Sequence, residues 1–255
     1  MILAFRWLMD TNRILEKLDI YFSKNDYVGA EKHLKYWLDE AVTTNDDRSS
    51  LLLCNELIGL SRKTNQKEQT FRYANTALEL IKKLDMQQSV TAATTYINVA
   101  TAYKAFGNPV ESLPFFEQAC SIYEKYLSPN DSRLGGLYNN MALTFSDLKH
   151  FKDAYDSYQK ALTVMAKADK GELEMAITHL NIASTLEAEL GLLDADELIS
   201  EHLDKATVLL DTHKDLKDGY YAFVCEKCAS CFGYYGRFLY EKELKERALM
   251  IYERN

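Results

Sequence analysis

Apolar residues along most of this chain recur at spacings of three and four, the mark of amphipathic helices with one inward face. The spacing predicts helices near 10–23 and 27–42, then near 49–63 and 67–83. Further pairs fall within 93–126, 135–168, 176–212 and 220–253. Short polar stretches separate them: Thr44-Asn-Asp-Asp47, Ser128-Pro-Asn-Asp131 and Lys214 to Gly219. Within this pattern lies a copy. Tyr96, Asn98, Ala100, Tyr103, Phe106, Gly107 and Ala119 recur 42 residues on as Tyr138, Asn140, Ala142, Phe145, Leu148, Lys149 and Ala161. Internal repetition at this period predicts stacked helix pairs, each burying its apolar face on its neighbours.

The other units follow from the two clear ones. Each carries a small residue in its first helix, helix A, and another deep in its second, helix B, because close helix approach needs small side chains. Ile58 and Ala77 mark a weaker unit upstream; Leu18, Tyr21, Tyr27 and Ala30 mark the most degenerate one. Downstream, Asn181, Ala183, Leu186 and Ala206 belong to a unit stretched by about four residues around Gly191-Leu-Leu-Asp-Ala195. Ala229, Phe232, Gly236, Phe238 and Ala248 hold the key places of the last. The expectation is an all-α chain of six antiparallel helix pairs, a single array over residues 1–255.

Composition narrows the class. Only 10 Gly and 3 Pro among 255 residues suit long helices and short loops. A net charge of -8 and a pI near 5.3 argue against nucleic acid or an anionic membrane as the main partner. Five cysteines, an odd count in a helical chain, point to a reducing compartment and a cytoplasmic location. The opening Met1-Ile-Leu-Ala-Phe-Arg-Trp-Leu-Met9 is apolar, yet has no basic lead or cleavage site and meets Asp10 too soon for a span. It reads as the start of a helix, or as an extension packing on the first repeat.

Tyr138, Asn140, Met141, Ala142, Phe145, Phe151, Ala154, Tyr158 and Ala161 resemble the tetratricopeptide repeat almost place for place, and 93–123 nearly as well, departing at Ser112 and Pro114. The 42-residue spacing with Asn-x-Ala in helix A is similar to the long repeats of kinesin light chains. Cys225-Glu-Lys-Cys-Ala to Gly236 is also similar to a segment of standalone bacterial proteins, a likeness that implies no activity. The resemblance implies a right-handed superhelical solenoid whose A helices line a concave groove for proteins or extended peptides. By that analogy the inward positions include Asn55, Arg62 and Lys63; Thr94, Ile97, Asn98, Thr101 and Lys104; Asn139, Asn140, Leu143 and Asp147; and Ile177, Leu180, Asn181, Ser184 and Glu187.

Asn98, Asn140 and Asn181 then form a row of carboxamides, each with two donors and an acceptor. Such a row can pair with a peptide backbone, as in the quorum-peptide receptors of Gram-positive bacteria, or bond a neighbouring helix and fix stacking. Arg62, Lys63 and Lys104 offer cations for a carboxylate, although a solvated face explains them as well.

Cys225-Glu-Lys-Cys-Ala-Ser-Cys231 carries the spacing of a metal or redox motif, but a helix spreads its sulfurs over one stripe and no fourth ligand lies nearby. Their register, shared by Cys54, places Cys225 and Cys228 at core positions as compact hydrophobes. No metal or cofactor is expected. Phe223, Glu226, Ser230 and Tyr234 fall on the inward face, and Gly233 suggests room for a small ligand, so an enzymatic or small-ligand pocket at the last repeat is the alternative. His33, His150, His179, His202 and His213 are scattered, with only His179 near the groove. The reading is a non-catalytic scaffold for a protein or extended peptide, alternatively a peptide-sensing receptor without a DNA-binding domain. Its apolar first helix also leaves a homodimer open.

Overall fold

The computed structural model describes residues 9–216 and 218–253, and the described residues form twelve α-helices and no strand. They are α1 (Thr11–Ser23), α2 (Tyr27–Thr43), α3 (Asp47–Lys63), α4 (Lys67–Lys83), α5 (Val90–Ala105), α6 (Pro109–Tyr126), α7 (Ser132–Asp147), α8 (Phe151–Met165), α9 (Gly171–Leu190), α10 (Leu192–Thr212), α11 (Gly219–Tyr234) and α12 (Phe238–Tyr252). The expectation for Met1 to Leu8 lies outside the described residues. None of the described helices is long and apolar enough to cross a membrane.

Side-chain caps set where α2 and every A helix except α9 begin. Asp10, Asp26, Asp46, Ser89, Asp131 and Asp218 each accept a hydrogen bond from a backbone N–H two or three residues on, satisfying one of the orphan donors of a first turn. Helices α3 and α7 therefore start a few residues before their first strongly apolar positions, Leu51 and Leu134. In α6, Pro109 stands at the first helical position, where a missing N–H costs nothing, and the helix runs on through Pro114.

Left-handed residues close the turns. Between the two helices of a pair they are Asn25, Asn65, Gly107, Lys149, Gly191 and Gly236, with φ between 53° and 80° except for 85° at Gly191. Gly191 alone joins α9 to α10, so the extra residues of this repeat lie in its helices, 20 and 21 residues long, rather than around the turn. The repeat is longer, as the sequence suggested, and its extra length lies in the two helices flanking Gly191.

The helices divide into two compact units between Phe106 and Gly107. In the first, α3 packs on α2 and α4, α1 on α2, and α5 on both α3 and α4. In the second, each helix packs on its successor from α6 to α10 and again from α11 to α12, while α9 also touches α7 and α11. The A helices α7, α9 and α11 thus lie side by side.

The small positions read from the sequence are where the helices meet. Ala100, Ala142, Ala183 and Ala229 in A helices, and Ala77, Ala119, Ala161, Ala206 and Ala248 in B helices, are all buried. Large side chains fill the space between pairs. Tyr158, Tyr221 and Phe232 are fully covered in the second unit, and Phe232 meets Tyr240 edge-on with ring centres 4.7 Å apart. Cys225 and Cys228 lie in this core, and Cys54 in that of the first unit.

Burial pushes the thiols up: Cys54 and Cys120 to about 12 and Cys231 to about 11, with Glu124 adding to the effect at Cys120. An aromatic disulfide reagent at pH 8 should therefore react slowly with the folded protein and promptly with all five thiols in denaturant. Rapid reaction of Cys228 in the native state would contradict its place in the core.

Candidate binding face

The side-by-side A helices of the second unit carry most of the candidate residues. Asn139 is buried and its carboxamide oxygen accepts from Asn181 Nδ2 at 3.1 Å, tying α7 to α9. Its neighbour Asn140 turns elsewhere: Nδ2 donates to the Gly136 carbonyl of its own helix at 3.0 Å, and the side chain is half-buried. Adjacent asparagines thus divide two tasks, one stacking repeats and one lying on the surface of α7. The expected row through Asn140 is corrected, because Asn139 is the residue bonded to Asn181.

The first unit repeats this arrangement. Asn98 Nδ2 donates to Asn55 Oδ1 at 2.9 Å, while Asn55 Nδ2 donates to Thr95 Oγ1 at 2.9 Å and to the Leu51 carbonyl. Thr101 and Lys104 are half-buried on α5. Arg62 and Lys63 are exposed at the end of α3, with the Lys63 ammonium 4.6 Å from the Tyr27 ring centre.

On α9, Ile177 and Leu180 are buried in the core, so these two analogy-based positions do not belong to an open surface. Ser184 is exposed, and Leu143 and Glu187 are half-buried. Glu187 accepts from Tyr234 and Tyr235 at 2.6 and 2.7 Å, one hydroxyl on each carboxylate oxygen. Tyr220 donates likewise to Glu174, and Tyr252 to Glu226 at 3.2 Å. Burial first, then the carboxylate, pushes the hydroxyls of Tyr220 and Tyr235 up, so they remain protonated donors. Tyr234 is 68% exposed and Glu226 is also at the surface.

The room expected at Gly233 is taken. A Cβ there would meet the carboxylate of Glu241 from α12, so the chain itself fills the space that the sequence suggested for a ligand. Among the described residues, no three His, Cys, Asp or Glu side chains converge as a metal site. His179 is buried, and its Nδ1 lies 3.0 Å from Nδ1 of His202, a contact between α9 and α10 that the scattered positions did not suggest. The cross-repeat bonds do have a sequence signal: their partners stand 42 to 48 residues apart, about one period.

The divided asparagines give a direct expectation. Asn139→Ala removes the acceptor of Asn181 and should cost about 1–3 kcal/mol in urea unfolding. Asn140→Ala breaks only a bond within one helix turn and gains helix propensity, so its stability should stay within about 0.5 kcal/mol.

Residues 92–132 match the family model for the tetratricopeptide repeat. No curated protein matches the sequence. The solved structure of BtubC (BKLC) from P. vanneervenii is similar with a TM-score of 0.66 and 16% identity, over 81% of this chain and 82% of that one. Nearly identical TPR-like repeats of kinesin-light-chain type from Podosopora anserina give 0.53 and 15%, over 79% and 94%. A Rap protein complexed with Competence and Sporulation Factor gives 0.64 and 15%, over 94% of this chain and 63% of the Rap chain. Residues 92–132 thus carry one tetratricopeptide repeat by sequence, and the chain shares its fold with solved tetratricopeptide-repeat and kinesin-light-chain-type structures.

Proposed function

We propose that the chain is a non-catalytic scaffold that holds an extended peptide segment of a partner against its A helices. The observation that carries this reading is the makeup of the α7, α9 and α11 face. Residues needed for stacking, such as Asn139, Ile177 and Leu180, are sunk, whereas Asn140, Leu143, Ser184, Glu187, Glu226 and Tyr234 keep their polar or apolar ends at the surface. Such a mixture of amides, carboxylates and an aromatic suits a peptide backbone with side chains between. The first unit has its own candidate contact residues, Arg62, Lys63, Thr101 and Lys104, beside the Asn55 and Asn98 pair. The Rap neighbour, solved with a bound factor, is a precedent for ligand holding by this fold and favours a sensing role as the second reading.

Native mass spectrometry of the protein purified gently from its own host tests this. A co-purifying peptide or protein should be present, and it should be lost from Asn140→Ala while the melting temperature is kept. A bound small molecule or metal in its place would overturn the reading, and a doubled chain mass would identify a second copy as the partner.

A further inference from the structure

The negative charge of this chain is unevenly placed. From residue 107 on there are 25 Asp and Glu against 16 Lys and Arg, whereas 13 and 14 precede it. The excess therefore belongs to the second unit. On that unit α11 presents Tyr220, Phe223 and Tyr234, which are 39%, 42% and 68% exposed. At 100° per residue the three fall on one stripe, beside α9. Exposed aromatics in line on a helix are a contact surface rather than a core.

Each end of the stripe pairs rings with a carboxylate. At one end Tyr220 donates to Glu174 and stacks near Phe223, ring centres 6.5 Å apart; at the other Tyr234 and Tyr235 donate to Glu187. These hydroxyls fix the carboxylates and leave each oxygen further lone-pair capacity. A ring face beside an oriented carboxylate recognises an ammonium or guanidinium. The chain's own Lys227 already places its ammonium 5.9 Å from the Phe223 ring centre. The Glu174 end opens into a recess of about 420 Å³ bordered by Gly136, Met165 and Tyr220. Its cations do not oppose a basic guest, since Arg133 pairs with Asp131 at 2.7 Å and Lys170 with Asp218 at 3.0 Å.

Glu174 and Glu187 are 13 residues apart on α9, hence about 20 Å along its axis, and their bonds to Tyr220 and Tyr234 bring both toward one stripe of α11; an extended chain covers that rise in about six residues. Building on the peptide-holding reading, we propose that this face takes a basic extended segment with two Lys or Arg side chains about six residues apart. One is seated at Glu174 with Tyr220 and Phe223, and the other at Glu187 with Tyr234.

Selection of a random dodecamer phage library on the full chain tests this separately from the parent reading. Enrichment of Lys and Arg at that spacing, with Asp and Glu depleted, is expected, and a synthetic winner should bind at least ten-fold more weakly to Glu174→Gln/Glu187→Gln. Tyr234→Phe, at an exposed position, should lower affinity several-fold with an unchanged melting curve. Enriched peptides without basic character overturn the charge assignment but leave peptide holding intact. No enrichment at all overturns both.

Discussion

Gly171→Ala should be among the most destabilising single changes in the second unit, at about 3–4 kcal/mol, a fall of about 10 °C in melting temperature. A Cβ at Gly171 would overlap the backbone carbonyl of Met165, where α8 ends and the chain turns into α9. Backbone cannot step aside without moving the helix junction that aligns α9 with α7. Gly135 makes a useful contrast. There the added methyl meets the Met165 thioether, Cε at 2.5 Å, which can change rotamer, so Gly135→Ala should cost about 1 kcal/mol or less. At Gly136 nothing lies within 4 Å of a new Cβ, and helix propensity alone predicts a gain of about 0.5–1 kcal/mol. Thermal and urea unfolding of the three variants would rank them 171, 135, 136. A mild Gly171→Ala would show that the junction can relax. Because Gly136 borders the recess at Glu174, its alanine variant should also separate stability, which rises, from capture of a basic peptide, which weakens.

The helix pairs were legible because two signals agreed over the length of the chain: apolar spacing and alanines at one period. The first unit was harder to read, since its turns use asparagine or aspartate where glycine serves at Gly107, Gly191 and Gly236. Asn25, Asn45, Asn65 and Asp85 stand 20 residues apart, each left-handed, a regularity visible in the sequence once asparagine is read as a turn residue. The core role of Cys225 and Cys228 followed from register alone. The binding face was only partly legible. Register separated inward from outward positions in part, since it set the buried Ile177 and Leu180 on the open face, and it did not separate Asn139 from Asn140, because which amide bridges to α9 depends on side-chain direction. The tyrosine and carboxylate pairs on α9 and α11 join residues a period apart, and such contacts emerge only when neighbouring helices fix their relative height. Gly233 failed as a guide to ligand space because Glu241, on the paired helix, reaches into it.

Stability should also fall as the medium is acidified from about pH 6.5 toward pH 4, before most carboxylates titrate. The cause is His179 and His202. With Nδ1 atoms 3.0 Å apart, one ring must donate its proton and the other must accept, so a second proton breaks the bond. Burial, then His202 and Lys205, hold His179 down to about 4, with Glu201 opposing; burial, then Lys205, also lower His202, again against Glu201. A histidine held below its unfolded value contributes stability that is fully present above about pH 6.5 and is lost as the unfolded chain takes up the proton first. Solvent at the rim of the pair screens part of the effect, leaving on the order of 1–2 kcal/mol by pH 5. Urea midpoints measured from pH 7.5 to 4.5 would show the slope. The double variant His179→Asn/His202→Asn, which keeps an amide pair in place of the rings, should flatten it. An unchanged slope in that variant would move the acid sensitivity to other groups. Since α9 also carries Glu174 and Glu187, loosening its seat on α10 would also misalign the face proposed for basic peptides, so capture should weaken over the same pH window.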